Sequence, residues 1–308
     1  MMPDRLHAFY SDSFVLPLPE HHRFPIEKYR RTREELGALL PPDRILFCLP
    51  PAATDEDLLR VHTAKYLEKV KTGDLSALEQ RRIGFPWSSE MVERSRRSTG
   101  ATLQAGRQAL QSGVAVNLAG GTHHAFSDHG QGYCVFNDVA VAARTLQHER
   151  AIHKAVVIDC DVHQGNGTAA IFKEDPTIFT CSLHGANNFP FTKCNGDLDI
   201  PLADGTDDAG YLDVLTDVLE KEIPWKGVDV VFYLAGADPF AGDRLGKLKL
   251  SLEGLQKRDD LVAQACQRRQ IPLVVAMAGG YAHELEDIVR IHTTTVLTVM
   301  QCLADRTH

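Results

Sequence analysis

The chain has 308 residues, 44% of them hydrophobic and 24% charged, which is the balance of a globular protein that buries a sizeable core. Its net charge of −8 and the lack of a long Lys/Arg run argue against a nucleic-acid-binding surface, and the basic residues at 94–97 are predicted to form a solvated helix face. Seven cysteines without a Cys-x-x-Cys pair, and no apolar run that could cross a bilayer, predict reduced thiols, no membrane partner and a cytoplasmic location, or a nuclear one in a eukaryotic host.

Short aliphatic runs alternate with segments of helical periodicity along the chain. The periodic segments include residues 89–111 and 252–266. This alternation predicts an α/β fold with a central, mostly parallel sheet covered by helices on both faces, in a single domain over residues 1–308. Residues 185–205 are predicted to be a loop that lines the mouth of a pocket. The predicted strands are residues 44–49, 114–118, 155–158, 178–182, 228–234 and 273–278.

Polar or glycine residues follow most of these predicted strands. Gly120 follows the second, Asp159 the third, His184 the fourth and Asp238 the fifth, and a Gly-Gly-Tyr sequence at 279–281 follows the last. Ligands of open parallel sheets bind outside the carboxyl ends of the strands, so we expect the chemistry to collect at that edge.

Asp161 and His163 are two residues apart, so their side chains point to the same side of an extended segment. Such a pair alone is more often two satisfied polar residues of a loop than a metal site. Asp159 precedes it, however, and Asp238 stands at a separate strand end. Two carboxylates and one imidazole leave a position open for water and substrate, as in catalytic zinc sites. The ligands would also accept Fe²⁺.

His123 and His124 form a tandem pair about thirty-five residues before this cluster. Adjacent histidines are seldom needed for packing, and a hydrolytic metal site needs an acid/base group beside it. Together the two clusters predict a metal-dependent hydrolase.

At the level of motifs, the chain resembles histone deacetylase-family metal-dependent deacylases, with its closest similarity to the class IV branch and bacterial relatives. The resemblance covers nearly the whole chain, and it implies an arginase-like α/β fold. It also implies a metal held by Asp161, His163 and Asp238, and hydrolysis of the amide of N-ε-acyl-lysine. The matching motifs are Gly-Gly-Thr-His-His-Ala at 120–125, Gly-Tyr-Cys-Val-Phe-Asn-Asp at 132–138, Ile-Asp-Cys-Asp-Val-His-Gln-Gly-Asn-Gly at 158–167, Gly-Ala-Asp at 236–238, Gly-Asp-Arg-Leu-Gly at 242–246 and Gly-Gly-Tyr at 279–281.

The resemblance assigns general base and acid chemistry to His124, with His123 as its electrostatic companion. Asp159 and Asn166 resemble the partners that orient His123 and His124, respectively. Asn166 departs from the family members that carry Asp there, so His124 is expected to stay neutral at lower pH than in those relatives. Tyr281 is expected to donate its hydroxyl to the developing oxyanion.

Further positions follow from the same resemblance. Tyr133 and Phe189 look like aromatic walls of a narrow acyl-lysine tunnel, and Gly132 gives room beside them. A structural K⁺ is implied at Ser182 and Leu183, with the main-chain carbonyls of Asp159, Asp161 and His163. The pair at 21–22, His-His, is predicted to be solvated rather than a metal site.

Three functions remain open from the sequence. The first is deacylation of acyl-lysine in proteins or peptides. The second is deacetylation of small amines such as acetylpolyamines, which would need an acidic gatekeeper at a constricted mouth. Asp197, Asp199 and Asp204 lie in the predicted mouth loop, but the sequence does not place them at the rim. The third is a catalytically silent acyl-lysine-binding module.

Overall fold

A computed structural model describes residues 5–304, with side chains to residue 301; the outermost residues of the predicted domain, 1–4 and 305–308, lie outside this range. Within it the chain forms a single sheet of eight parallel strands in the order β2-β1-β3-β8-β7-β4-β5-β6. The strands are β1 Leu6–Phe9, β2 Ile45–Cys48, β3 Val114–Asn117, β4 Ala155–Asp159, β5 Ile178–Gly185, β6 Leu198–Leu202, β7 Val230–Leu234 and β8 Leu273–Ala276.

Helices precede and connect these strands. Several begin at Ser, Thr, Asn or Asp side chains that accept a main-chain N–H of the first turn, such as Ser88 and Asn137. The helices are α1 Glu27–Leu39, α2 Asp55–Leu59, α3 Ala64–Thr72, α4 Ala77–Ile83, α5 Ser89–Ser112, α6 Asp138–His148, α7 Asn166–Phe172, α8 Asp208–Asp217 with a π-helical turn at Val218–Glu222, α9 Leu252–Arg268 and α10 Leu285–Ala304.

The core has one layer on each face of the sheet. Alternate residues of β4 point to opposite faces, so Val156 joins one layer and Val157 the other. The first layer packs against α1, α8, α9 and α10, and the second packs against α5, α6 and α7. The predicted α/β fold with helices on both faces is therefore confirmed. No helix among the described residues is long and apolar enough to cross a membrane.

Two strands and the sheet's uniform direction differ from the sequence prediction. The sheet is entirely parallel rather than mostly so, and β1 and β6 were not predicted. β6 lies inside residues 185–205, which were predicted to be a loop throughout. It pairs with β5 alone at the sheet edge, where Pro201 is tolerated because an edge strand need not donate every N–H. A short edge strand carrying Asp and Pro has little of the usual strand signal.

The prediction of a solvated basic face at 94–97 was wrong for Arg94, which is 7% exposed. Its Nη1 donates to the main-chain oxygens of Ser11 (2.8 Å) and Phe14 (3.1 Å), and its guanidinium lies 4.9 Å from the centre of the Tyr29 ring. Arg94 thus attaches the segment after β1 to α5, a contact between distant parts of the chain that local periodicity does not reveal.

Candidate active site

The carboxyl ends of β3, β4, β7 and β8 surround a cavity of about 640 Å³. This is the edge at which the sequence placed its polar residues. The cavity is lined by His123 and His124 from the segment after β3, Asp161 and His163 after β4, Asp238 after β7, and Gly279 and Tyr281 after β8.

Asp161, His163 and Asp238 lie together at the floor of this cavity. They are buried, and one ligand atom from each lies within 4.8 Å of the other two. Asp238 Oδ2 is buried without a hydrogen-bond partner. His163 Nδ1 lies 3.2 Å from that oxygen, but the geometry is not that of a hydrogen bond, and Nδ1 lies closer to Asp161 Oδ1, at 2.9 Å. An unpartnered buried carboxylate oxygen facing an imidazole nitrogen is what a metal ion would complete.

Main-chain N–H groups hold the two carboxylates in place. Val162 N donates to Asp238 Oδ1 (2.9 Å), and Gly279 N donates to Asp161 Oδ2 (2.8 Å). Only glycine fits at 279, because a Cβ there would lie 2.1 Å from Asp238 Oδ2. Asp161 Oδ1 accepts from His163 N (2.9 Å), so Asp238 Oδ2 is the carboxylate oxygen of the pair that is left without a partner, held in a fixed geometry.

The titration behaviour of the three residues shows an excess of negative charge. Burial and then the charge of Asp161 raise the pKa of Asp238 to about 7. Burial opposes protonation of His163, but Asp161 and Asp238 outweigh it and raise its pKa to about 10. The two carboxylates therefore repel each other and attract positive charge to their common side, where His163 lies.

The tandem histidines have opposite electrostatic environments although their rings are 4.1 Å apart. His123 Nδ1 donates to Asp159 Oδ2 (2.6 Å). Burial lowers the pKa of His123, but the charges of Asp159 and Asp161 outweigh it and raise that pKa to about 9. The pKa of His124 is well below its usual value, first because of burial and then because His123 and His163 are close by. One histidine is therefore cationic at neutral pH and the other neutral.

His124 is oriented through a neutral amide. Its Nδ1 donates to Asn166 Oδ1 (2.7 Å), which leaves Nε2 as the free basic nitrogen. Asn166 Nδ2 donates in turn to Gln131 Oε1 (3.0 Å), which fixes which way the amide points. Gln131 was not predicted, because its only signal in the sequence is its position directly before Gly132 and Tyr133.

Tyr281 also lines the cavity and is 8% exposed. Its N–H donates to Asp243 Oδ2 (2.6 Å), and its carbonyl accepts from Arg244 Nε (2.8 Å). Burial is the first cause of a pKa well above the usual tyrosine value, so the hydroxyl remains a protonated donor. These main-chain contacts fix the position of Tyr281 in the cavity wall.

Lys28 of α1 is a second residue that the sequence did not indicate. Its side chain is fully buried, and Nζ donates to the main-chain oxygens of Ala278 (3.2 Å) and Gly280 (3.4 Å). Nζ also lies 5.4 Å from the centre of the Tyr281 ring. Burial is the first cause of its pKa falling to about 8. Lys28 thus braces the loop that carries Tyr281.

The predicted tunnel residues all line the cavity. Gly132 adopts φ +56°, and a Cβ there would lie 2.6 Å from the His124 ring, so a larger residue does not fit. The Phe189 ring lies 4.9 Å from His124 at 85°, edge to face. Tyr133 packs against Phe24 at 5.3 Å. The two aromatic residues therefore stand on different walls of one channel.

The remaining predicted positions lie beside the cavity. Ser182 is the register partner of Asp159 in neighbouring strands, and its Oγ lies 3.0 Å from His184 Nδ1, while Leu183 is fully buried. His21 is exposed as predicted, but His22 is not a solvated residue. Its Nε2 donates to Gly84 O (2.9 Å) and its Nδ1 accepts from Phe24 N (3.1 Å), so it fastens the segment before α1 to the pocket wall.

Comparison with known proteins agrees with this geometry. Residues 22–296 match the histone deacetylase domain. An uncharacterised protein of Picosynechococcus sp. is 42% identical over 287 residues, which is 92% of this chain and 95% of that protein. Histone deacetylase 2 of Arabidopsis thaliana is 30% identical over 75% of this chain, and the aligned part spans 62% of the plant protein.

Solved structures show the same fold. An HDAC homolog from Aquifex aeolicus superposes with a TM-score of 0.81 at 25% identity, covering 96% of this chain and 84% of that one. The predicted arginase-like architecture and the predicted family are thereby confirmed. The chain belongs to the histone deacetylase family.

Proposed function

We propose that this protein is a Zn²⁺-dependent deacylase that hydrolyses the amide of N-ε-acyl-lysine in proteins or peptides. One observation carries the proposal. A buried three-ligand cluster with an unpartnered carboxylate oxygen, a neutral histidine and a protonated tyrosine all line one narrow cavity. A silent acyl-lysine-binding module would have no use for this combination.

Each residue has a defined part in the proposed reaction. Asp161, His163 and Asp238 hold the cation, which when bound polarises the amide carbonyl and lowers the pKa of water. His124 Nε2 accepts the water proton and later donates it to the leaving lysine amine.

The surrounding groups keep His124 in the required state. The positive charge of His123, held by Asp159, disfavours a second positive charge on His124. The Tyr281 hydroxyl donates to the oxygen on which negative charge develops. Gly132, Tyr133 and Phe189 confine the acyl-lysine chain and exclude water around it.

Two further assignments belong to the proposal. Fe²⁺ is the alternative to Zn²⁺, because oxygen and imidazole ligands accept both. A structural K⁺ is proposed at Ser182 and Leu183 with the main-chain oxygens of Asp159, Asp161 and His163, since β4 and β5 bring these segments side by side.

We also propose an acyl-lysine protein as the partner, without nucleic acid or membrane, and a cytoplasmic location, or a nuclear one in a eukaryotic host.

The test combines metal analysis with turnover. The purified protein is assayed on fluorogenic acyl-lysine peptides of increasing acyl length, before and after chelation, with Zn²⁺ or Fe²⁺ added back. We expect one equivalent of metal and activity that chelation abolishes and metal restores. Stoichiometric metal without hydrolysis of any acyl-lysine peptide would refute the proposed activity.

A further inference from the structure

The mouth of the cavity carries positive charge although the chain as a whole has a net charge of −8. Arg81 and Arg82 of α4 and Lys247 line the mouth, and all three are exposed. Among the described lining residues, the only acidic ones are Asp161 and Asp238, which are buried at the floor. A substrate reaching the tunnel therefore first meets cationic side chains.

The two arginines are available to a ligand. In the described part of the chain, neither has an ion-pair partner within 4.0 Å, whereas Arg96 and Arg97 are both paired with carboxylates. Lys247 is partly neutralised, because its Nζ lies 3.7 Å from Asp204 Oδ2. The arginine side of the mouth is thus the stronger attractor for an anion.

The arginines are also firmly connected to the tunnel. The carbonyl of Arg82 accepts from Gly132 N (3.0 Å), and that of Ile83 accepts from Tyr133 N (2.6 Å). The end of α4 is consequently tied by its main chain to the wall that confines the acyl-lysine. The main chain that carries Arg81 and Arg82 therefore keeps a defined position beside the tunnel, and their side chains extend from there.

The acidic residues in and beside β6, which are Asp197, Asp199 and Asp204, do not line the cavity. Asp197 accepts from Thr180 N (2.8 Å), and Asp199 accepts from Gln164 Nε2 (2.7 Å); neither lines the cavity. Asp204 is the neighbour of Lys247. The acidic mouth that recognition of a polyamine ammonium would require is not formed by these residues.

We propose that the mouth selects acyl-lysine peptides with acidic side chains beside the acyl-lysine and disfavours acetylpolyamines. This proposal rests on the proposed deacylase function. Arg81 and Arg82 attract the flanking carboxylates, while Phe191, which is 88% exposed at the rim, offers apolar contact to the rest of the peptide. Exposed rim charges act mainly on association and its salt dependence.

The test uses acetyl-lysine peptides that differ only in carrying Glu, Gln or Lys on both sides of the acetyl-lysine. At low ionic strength kcat/KM should be roughly tenfold higher for the Glu peptide than for the Lys peptide, as expected for two rim charges. The difference should lie in KM rather than in kcat. Adding 0.5 M NaCl should make the difference between the two peptides smaller, because salt screens exposed charges. In R81E/R82E the preference should reverse. R81Q/R82Q, which places no acid at the end of α4, should abolish it.

A matched control makes the same change of charge elsewhere. Lys173 and Lys226 are exposed in the connections that lead to the amino-terminal ends of β5 and β7, at the sheet edge opposite the cavity. K173E/K226E should keep the wild-type preference and turnover.

The outcomes separate the two proposals. Equal kcat/KM for all three peptides, or an acetylpolyamine hydrolysed more efficiently than the Glu peptide, would overturn the mouth proposal and leave the deacylase intact. If no peptide is hydrolysed, the deacylase proposal fails, and the mouth proposal is then decided by the dissociation constants of the same labelled peptides. Tighter binding of the Glu peptide that is lost in R81Q/R82Q would support the mouth proposal. Equal dissociation constants for the Glu, Gln and Lys peptides would refute it.

Discussion

Two clusters of buried charged residues lie close together in this protein, and they differ in whether every charged group has a hydrogen-bond partner. Arg258 and Asp259 of α9 are 0% and 1% exposed, and their charges are satisfied internally. Arg258 Nε and Nη2 donate to Asp259 Oδ1 (2.9 and 2.8 Å), and the hydroxyls of Tyr233 (2.5 Å) and Thr295 (2.6 Å) donate to the Asp259 carboxylate. In the cluster of Asp161, His163 and Asp238, by contrast, Asp238 Oδ2 has no hydrogen-bond partner.

The cluster of Arg258 and Asp259 also supports the cluster of Asp161, His163 and Asp238. Arg258 Nη1 donates to the main-chain oxygens of Gly236 (2.6 Å) and Cys160 (3.3 Å), in the segments that carry Asp238 and Asp161. A buried charge whose partners are complete indicates a structural role, whereas one left incomplete beside a cavity indicates a ligand site. The predictions below test this distinction.

The largest effect is expected from removing the unpartnered carboxylate. D238A should lose the metal and reduce kcat/KM by at least about 10³, because the cation contributes several kcal/mol to the transition state. D217A, at an exposed surface carboxylate, is the control and should bind and turn over normally. Mass spectrometry of the two variants measures their metal content. Stoichiometric metal and normal turnover in D238A would show that Asp238 is not a ligand.

Removing the positive charge of Arg258 from its ion pair with Asp259 should destabilise the fold. R258M leaves Asp259 buried without its counter-charge, so the free energy of unfolding should fall by about 3–5 kcal/mol. R268M breaks an ion pair with Glu220 in which both side chains are about half exposed, and it should cost at most about 1 kcal/mol. Urea unfolding measures both. Equal losses in the two variants would contradict the structural role of Arg258.

We expect Tyr281 to affect the rate of the reaction and not the binding of the metal by Asp161, His163 and Asp238. Y281F should keep the metal and the fold and lower kcat by about 10²–10³, the effect of removing one oxyanion donor. Steady-state kinetics together with metal analysis test this. An unchanged kcat would mean that the ring of Tyr281 only packs against its neighbours.

The smallest effect concerns the neutral partner of His124. N166D places a carboxylate 2.7 Å from His124 Nδ1, where Asn166 Oδ1 stands, and should raise the pKa of His124, which burial now holds low. The general base must be neutral, so the acidic limb of kcat/KM should move to higher pH. Metal content is followed over the same range, because protonation of His163 would also release the metal.

Two results would contradict the coupling of His124 and residue 166. An acidic limb that stays in place would show that the two do not interact. A limb that moves to lower pH would show that another group controls the profile.

The sequence by itself determined the fold class and indicated most of the residues that line the candidate site, although not Gln131 or Lys28. Each predicted strand has a clear aliphatic run, and parallel strands bring their carboxyl ends to one edge, so His123, Asp161, Asp238 and Tyr281 had to approach one another. β1 and β6 escaped prediction because neither has such a run: His7 interrupts the four residues of β1, which lies between β2 and β3, and the edge strand β6 carries Asp199 and Pro201.

Only the tertiary structure decided which charged residues are buried and which remain free. Lys28 reaches Ala278 across 250 residues, and Arg94 reaches Ser11 across 83. Arg81 and Arg82, in contrast, stay exposed at the mouth. Burial of a charge depends on long-range main-chain oxygens that offset its desolvation, and no local pattern contains that information.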